Sequence, residues 1–165
     1  MKKSKLLISL LSSVVLVSCN NGSSIVIDQE AFNDDVNYVL NTSFRSLSSA
    51  LNYNAYYYES NGGYVFTLQM EYKASTLTNI RAIMIPKSYV INIQDKVLPS
   101  IGYDKTLILG PSKDVTTYTY PGYNLSFKTT SKDETFDLYL SYNVEGKTDK
   151  EVFVSEFNDF TKITK

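Results

Sequence analysis

The side chain with the most specific chemistry in this sequence is the thiol of Cys19, the only cysteine in the chain. It ends an apolar run that begins at Leu6, and three lysines stand within the first five residues. As a helix, this run covers roughly 18 Å against about 30 Å of bilayer hydrocarbon, so it is too short to span a membrane. A basic start, an apolar middle and the small residue Ser18 before the cysteine are typical of an export signal.

The stretch Leu16-Val17-Ser18-Cys19 resembles the lipobox of bacterial lipoproteins, which is Leu, a small or β-branched residue, then Gly, Ala or Ser, then Cys. The resemblance is confined to this N-terminal segment. It implies that the chain is cut between Ser18 and Cys19 and that the Cys19 sulfur is linked to diacylglycerol. Two acyl chains hold a protein durably, whereas one gives only marginal binding. The alternative is an ordinary signal peptide followed by a buried cysteine.

The predicted anchor makes the lipid bilayer a partner of this protein and the cell membrane its location. The residue after the cut is Asn20 rather than Asp. In enteric-type sorting, as the resemblance implies, this favours the outer membrane if the source has one. Residues 1–18 are then a cleaved signal peptide, and residues 19–27 are the lipidated cysteine with a flexible polar tether.

Composition excludes several function classes. The 16 basic and 17 acidic residues nearly balance, and the predicted signal removes three lysines, so the mature chain is mildly acidic. Nucleic-acid binding needs a basic face and is not expected. Because the chain has no histidine, it lacks the usual general base and the commonest metal ligand. With Cys19 acylated, we expect no enzyme activity, no cofactor and no metal.

Tyrosines are the candidate binding residues, and the chain has 14 of them. Tyr56 and Tyr58 lie in a tyrosine-rich predicted strand, in which neighbours point to opposite faces. Tyr118, Tyr120 and Tyr123 surround a Pro-Gly pair that suits a type II turn. Tyrosine offers a large contact area and a hydroxyl group, and it is enriched in binding surfaces. The alternative is that these are ordinary strand residues.

One long helix is predicted over residues 28–51. Asp28 has the chemistry of an N-cap, and apolar residues follow at steps of three and four. The resulting stripe contains Phe32, Val36, Leu40, Phe44, Leu47 and Leu51. We expect this stripe to lie in the core, although the poor helix formers at 41–43 could kink the helix.

Beyond residue 51 the apolar period changes to two, which predicts strands. A hairpin is expected over 53–72 with its turn at Asn61-Gly62-Gly63. Residues 136–142 alternate as a half-buried strand does. Residues 149–163 are ambiguous: capping-box spacing favours a helix slightly, and a return strand remains the alternative. The remaining predicted strands are 77–85, 89–93, 106–109, 115–120 and 124–130.

These elements predict one α+β domain over residues 28–165. Its N-terminal amphipathic helix would pack on a mainly antiparallel sheet, with a short C-terminal helix if 149–163 is helical. A partly closed β-barrel covered by the helix is the alternative fold.

The expected function is that of a membrane-anchored cell-envelope lipoprotein, a non-catalytic module that binds a protein or glycan partner or has a structural role. One alternative is a carboxylate-based hydrolase of envelope glycan, which needs two acids converging in a cleft. Another is a carrier of a lipid or small apolar ligand, which needs an apolar cavity.

Overall fold

The computed structural model describes residues 28–90 and 98–164. The predicted signal peptide, Cys19 and the tether lie outside these residues, as does part of the predicted strand 89–93. Within the described ranges, the helices present are too short or too polar to cross a membrane.

About half of the described residues are in strands, and a single α-helix of 13 residues accompanies them. In chain order the elements are α1 (Gln29–Asn41), β1 (Leu51–Ser60), β2 (Gly63–Tyr72), β3 (Leu77–Pro86), a short 3-10 helix (Lys87–Val90), β4 (Ser100–Ile101), β5 (Ile108–Leu109), β6 (Thr119–Tyr120), β7 (Gly122–Thr129), β8 (Phe136–Val144), β9 (Lys150–Phe157) and β10 (Thr161–Lys162).

The strands form two mixed sheets rather than one. The first sheet has the order β10-β1-β2-β7, and the second has the order β6-β5-β3-β8-β9 with β4 paired to β3. All long pairings are antiparallel, whereas the short β10 and β6 each pair in parallel. The protein is therefore mostly β, and the predicted α+β class is wrong. The barrel alternative is not what forms either, because the two sheets are separate.

The main core lies between the two sheets. Successive side chains of a strand point to opposite faces, so β2 directs Phe66, Leu68 and Met70 to one side. There they pack in one buried cluster with residues of the second sheet such as Met84 and Leu140. The period-two pattern of the sequence is the reason that these strands bury one face together.

The second sheet is also covered on its other face, by α1. Val39 of the helix lies in a second buried cluster with Ile83, Tyr139 and Val154, and Phe32 packs against it. As a result β8 is buried along residues 136–142. The prediction of a half-buried strand there is wrong, because the face expected to meet water is the one that receives the helix.

The start of α1 is as predicted, but its length is not. Asp28 caps the helix by accepting a hydrogen bond from the Ala31 N–H at 3.1 Å. The helix ends at Asn41, and the chain then extends so that the Ser46 N–H donates to the Val154 carbonyl of β9. Phe44 is 74% exposed as a consequence. The predicted helix over 28–51 is therefore wrong beyond residue 41. Of its predicted stripe, Leu40, Phe44 and Leu47 are exposed, whereas Leu51 is buried as expected but as the first residue of β1.

Of three local predictions in the strand-rich region, one is confirmed and two are wrong. The hairpin of β1 and β2 is confirmed, with Asn61 and Gly62 at positive φ in its turn. A C-terminal helix is wrong, because residues 150–157 pair with β8 along their whole length. The type II turn is also wrong: Gly122 begins β7, and the positive φ belongs to Tyr118.

Candidate functional site

The most distinctive local irregularity is a β-bulge in β3. Its pairing with β8 shifts between Thr78 and Arg81, and Asn79 within this interval has a φ of 52°. The Asn79 side-chain amide donates to the Asn143 side-chain oxygen at 3.2 Å. Bulges disrupt the ladder locally and re-aim side chains, and they are over-represented beside functional sites.

Gly102 brings the chain after β4 against this bulge. Its φ is 83°, and a Cβ atom placed on it would lie 1.8 Å from the Ile80 carbonyl oxygen. Only glycine fits this approach. A cavity of about 480 Å³ opens beside it, which we call the bulge pocket. Its polar and aromatic lining includes Asp28, Asn79, Arg81, Tyr103, Lys105 and Lys150.

Arg81 is held in the wall of the bulge pocket by two contacts. Its guanidinium lies 3.4 Å from a carboxylate oxygen of Asp28 and 5.4 Å from the ring centroid of Tyr103. The second contact is a cation–π interaction, in which the positive charge lies over the electron-rich face of the ring.

Two lysines complete the charged lining. Lys105 forms an ion pair with Asp104 at 3.1 Å, and its ammonium lies 5.1 Å from the ring centroid of Tyr118. Lys150, the first residue of β9, donates a hydrogen bond to the hydroxyl of Tyr139 at 3.3 Å. Cations from β3, a loop and β9 thus reach one cavity.

Beneath the pocket, two phenols meet a buried carboxylate. The Tyr103 hydroxyl donates to Asp35 of α1 at 2.7 Å, and Asp35 is only 9% exposed. Burial, and then the contact with Asp35, raises the pKa of Tyr103. Burial likewise raises the pKa of Tyr139, with Asp35 the next cause. A phenol with its ordinary pKa of about 10 is already protonated at neutral pH, and the raised pKa keeps both hydroxyls protonated in alkaline solution as well.

The chemistry that this arrangement offers is recognition of a polar ligand. Cationic groups and side-chain amides supply hydrogen-bond donors, and tyrosine rings supply flat contact surfaces. In the part of the chain that the structure describes, no three His, Cys, Asp or Glu side chains are grouped so that they could hold a metal ion.

The predicted tyrosine patch is divided by the structure. Tyr56 and Tyr58 lie on the outer face of the first sheet, where they pair with Thr67 and Val65 of β2. Tyr57 between them points inward and packs against the main core. Both outer tyrosines are half-buried.

The other three tyrosines lie where the two sheets meet. The Tyr123 hydroxyl is within 2.9 Å of the carbonyls of Ile108 and Tyr118, and its ring meets that of Tyr120 edge-on. Burial raises the pKa of Tyr123 to about 12. This residue therefore links structural elements. Tyr118 is exposed and contacts Lys105, so it is the predicted residue that adjoins the bulge pocket.

The sequence prediction did not include the residues that form the bulge pocket. Asn79 and Arg81 interrupt an apolar strand run, which is a weak sign of a bulge. Gly102 gives no sign in the sequence beyond being a glycine between apolar runs. Lys150 gave no signal, since its approach to β3 depends on the order of strands in the sheet.

Comparison with known proteins adds no relative from which a role could be transferred. No protein-family model matches the chain. A search of curated proteins likewise finds no match.

Proposed function

We propose that this protein is a lipid-anchored lipoprotein of the cell envelope, and that its domain is a non-catalytic module that binds a polar partner, protein or glycan. The observation that carries the binding role is the bulge pocket, where separate segments direct charged and hydrogen-bonding side chains into one cavity. Concave sites with a few convergent polar groups are the usual form of a ligand site. The anchoring role is supported by the resemblance of residues 16–19 to a lipobox.

The chemistry of the bulge pocket favours this role over the two alternatives. A carrier of apolar ligands needs an apolar cavity, whereas this lining is charged and polar. A glycosidase needs two carboxyl groups that converge on one bond. Asp28 and Asp104 instead each form an ion pair with a cation of the lining. In this geometry the carboxylates position the cations.

The proposal is tested by capture with a variant of the pocket. The full-length protein, purified in detergent, is incubated with isolated cell-wall glycan and, separately, with a detergent extract of its host's envelope. The pocket variant carries Arg81→Gln and Lys150→Gln. Its control carries Lys128→Gln and Lys132→Gln, which remove the same charge from exposed positions outside the pocket.

We expect the wild type and the control to retain the same glycan or protein, and the pocket variant to lose about tenfold in affinity, as is usual when charged hydrogen bonds are removed. Circular dichroism establishes that all three proteins are folded. If the pocket variant retains the partner as well as the control does, the site is wrong. If the wild type retains neither glycan nor protein, the binding role itself is wrong.

A further inference from the structure

The charges that line the bulge pocket do not cancel. Arg81 and Lys105 are each matched by a carboxylate, Asp28 and Asp104 respectively. Lys150 is different, because no carboxylate of residues 28–90 or 98–164 forms an ion pair with it. Its partner is the hydroxyl of Tyr139, a neutral group. The residues that line the pocket therefore carry one more positive than negative charge. The carboxylate of Asp35 beneath them is bonded to Tyr103 rather than to Lys150.

Arg81 adds a guanidinium that contacts with Asp28 and Tyr103 restrain. A guanidinium has five N–H donors in a planar fork, and Asp28 accepts from one terminal nitrogen at 3.4 Å. The carbon centre of the guanidinium also lies 5.4 Å from the Tyr103 ring centroid, which is a second contact that restrains the group. A planar fork matches the two oxygens of a carboxylate or phosphate group, and restraint lowers the entropy lost on binding.

Two amides add neutral donors at the same place. The Asn79 amide nitrogen donates to the Asn143 side chain at 3.2 Å, and the Asn143 amide nitrogen donates to the Thr148 carbonyl at 3.0 Å. Each amide nitrogen carries two hydrogens, so each has a second one to offer. These contacts link β3 to the turn between β8 and β9 and hold both amides at the pocket.

The backbone conformation at Asn79 determines where its side-chain amide lies. A φ of 52° is uncommon outside glycine, although asparagine tolerates it better than most residues. Such conformations persist where the surrounding structure determines them, and they cluster at ligand sites. Here the constraint holds the Asn79 amide beside Arg81 in the pocket wall.

We infer that the bulge pocket recognises a small oxyanion, a carboxylate or a phosphate group, carried by its polar partner. Lys150 provides the charge, Arg81 provides the paired donors, and the amides of Asn79 and Asn143 bind the remaining oxygen atoms. The inference names the ligand class for the site of the proposed function and rests on that function for the existence of a larger partner.

The test uses two small probes, inorganic phosphate and acetate, with glucose as a neutral comparison. Each is titrated into the isotope-labelled full-length protein in detergent at constant ionic strength, and amide chemical shifts are followed by NMR. The variants are Lys150→Gln, Lys150→Arg, which keeps the charge, and Lys128→Gln, which removes a distant exposed lysine. Shifts away from the pocket report whether each variant keeps the native fold.

We expect saturable shifts at residues 79–81, 102–106 and 143–150 with at least one anion and none with glucose. Lys150→Gln should weaken that binding about tenfold, whereas Lys150→Arg and Lys128→Gln should keep it. Saturation by acetate alone identifies a carboxylate group, and saturation by phosphate alone identifies a phosphate group. Added salt should weaken binding, because these cations are partly exposed and screened.

The inference is wrong if neither anion shows saturable binding. It is also wrong if the Lys150→Gln variant binds the anions as tightly as the wild type does. Neither outcome depends on the proposed function. If a partner is captured through the pocket while small anions do not bind, the inferred ligand class is wrong and the proposed binding role stands. If anions bind while no partner is captured, the oxyanion site stands and the proposed binding of a protein or glycan partner is wrong.

Discussion

At Gly102 the chain passes so close to the bulge in β3 that hydrogen is the largest side chain that fits. The φ of 83° is one constraint, and the 1.8 Å separation between a built Cβ and the Ile80 carbonyl oxygen is a second. Gly146, in the turn before β9, has almost the same φ, 81°, but a Cβ there meets no atom within 4 Å. A side chain at either position would cost backbone strain, whereas a side chain at Gly102 would also cost a steric clash.

Replacement of each glycine by alanine measures this difference. Gly146→Ala should lower the free energy of unfolding by about 1 kcal/mol, the usual cost of a left-handed conformation for a residue with a Cβ. Gly102→Ala should lower it by about 3 kcal/mol or more, because the backbone of β3 or β4 must also move. Urea titration followed by circular dichroism measures both values. Equal losses would show that the close approach at Ile80 is absent.

At the scale of the elements, the start of α1 was predicted correctly and its end was not. The apolar steps of three and four continue past Asn41, yet the chain leaves the helix there and runs beside β9. Ser155 reinforces this path, since its hydroxyl donates to the Ser46 carbonyl at 2.6 Å. Hydrogen bonding to an edge strand is therefore favoured over continuation of the helix through the poor helix formers at 41–43.

A pair of variants tests where the helix ends. Val39 lies on the buried face of α1 and is 1% exposed. Val39→Ala should therefore lower the free energy of unfolding by about 2 kcal/mol, because two methyl groups are lost and a cavity remains. Phe44 is 74% exposed, so Phe44→Ser should change stability by less than about 0.5 kcal/mol. Both values come from denaturant unfolding. A large cost at Phe44 would indicate that the helix and its buried stripe extend further than the structure shows.

At the scale of the whole molecule, only a short stretch of sequence separates the bulge pocket from the proposed anchor. Asp28 lines the pocket, and its N–H donates to the Tyr103 carbonyl at 2.7 Å. Cys19 is nine residues earlier in the sequence. A chain extends at most about 3.5 Å per residue, so an acylated Cys19 would keep this end of the domain within roughly 30 Å of the bilayer surface. A partner of the pocket would then be a component near the membrane.

The anchor is tested by Cys19→Ala expressed in the native host. We expect the wild type in the membrane fraction with the mass of a diacylated chain that begins at Cys19, because two acyl chains bind durably. The variant should be uncut or released. Ser13→Ala, which leaves the lipobox-like residues intact, is the matched control and should behave as the wild type does. A Cys19→Ala protein that fractionates and is processed like the wild type would place the attachment elsewhere.

Features that depend on near neighbours in the chain were predictable from the sequence. The N-cap at Asp28 needs only a carboxylate beside the first turn, and the β1–β2 hairpin needs only alternation and two turn residues that tolerate positive φ. The short spacing of the residues involved makes these interactions local. The resemblance of residues 16–19 to a lipobox is equally local, since it rests on four consecutive residues, and the lipid anchor that it implies stays a prediction.

Other features were decided by contacts between segments far apart in the sequence. Residues 150–157 form a strand because they pair with β8 along their whole length. The face of β8 that was expected to meet water is covered by α1 instead. The bulge pocket has the same origin, since Asn79, Gly102 and Lys150 meet only when β3, β4, β8 and β9 have taken their places in the second sheet. Local patterns determine which strands and turns can form, whereas sheet order and helix docking determine which side chains share a cavity.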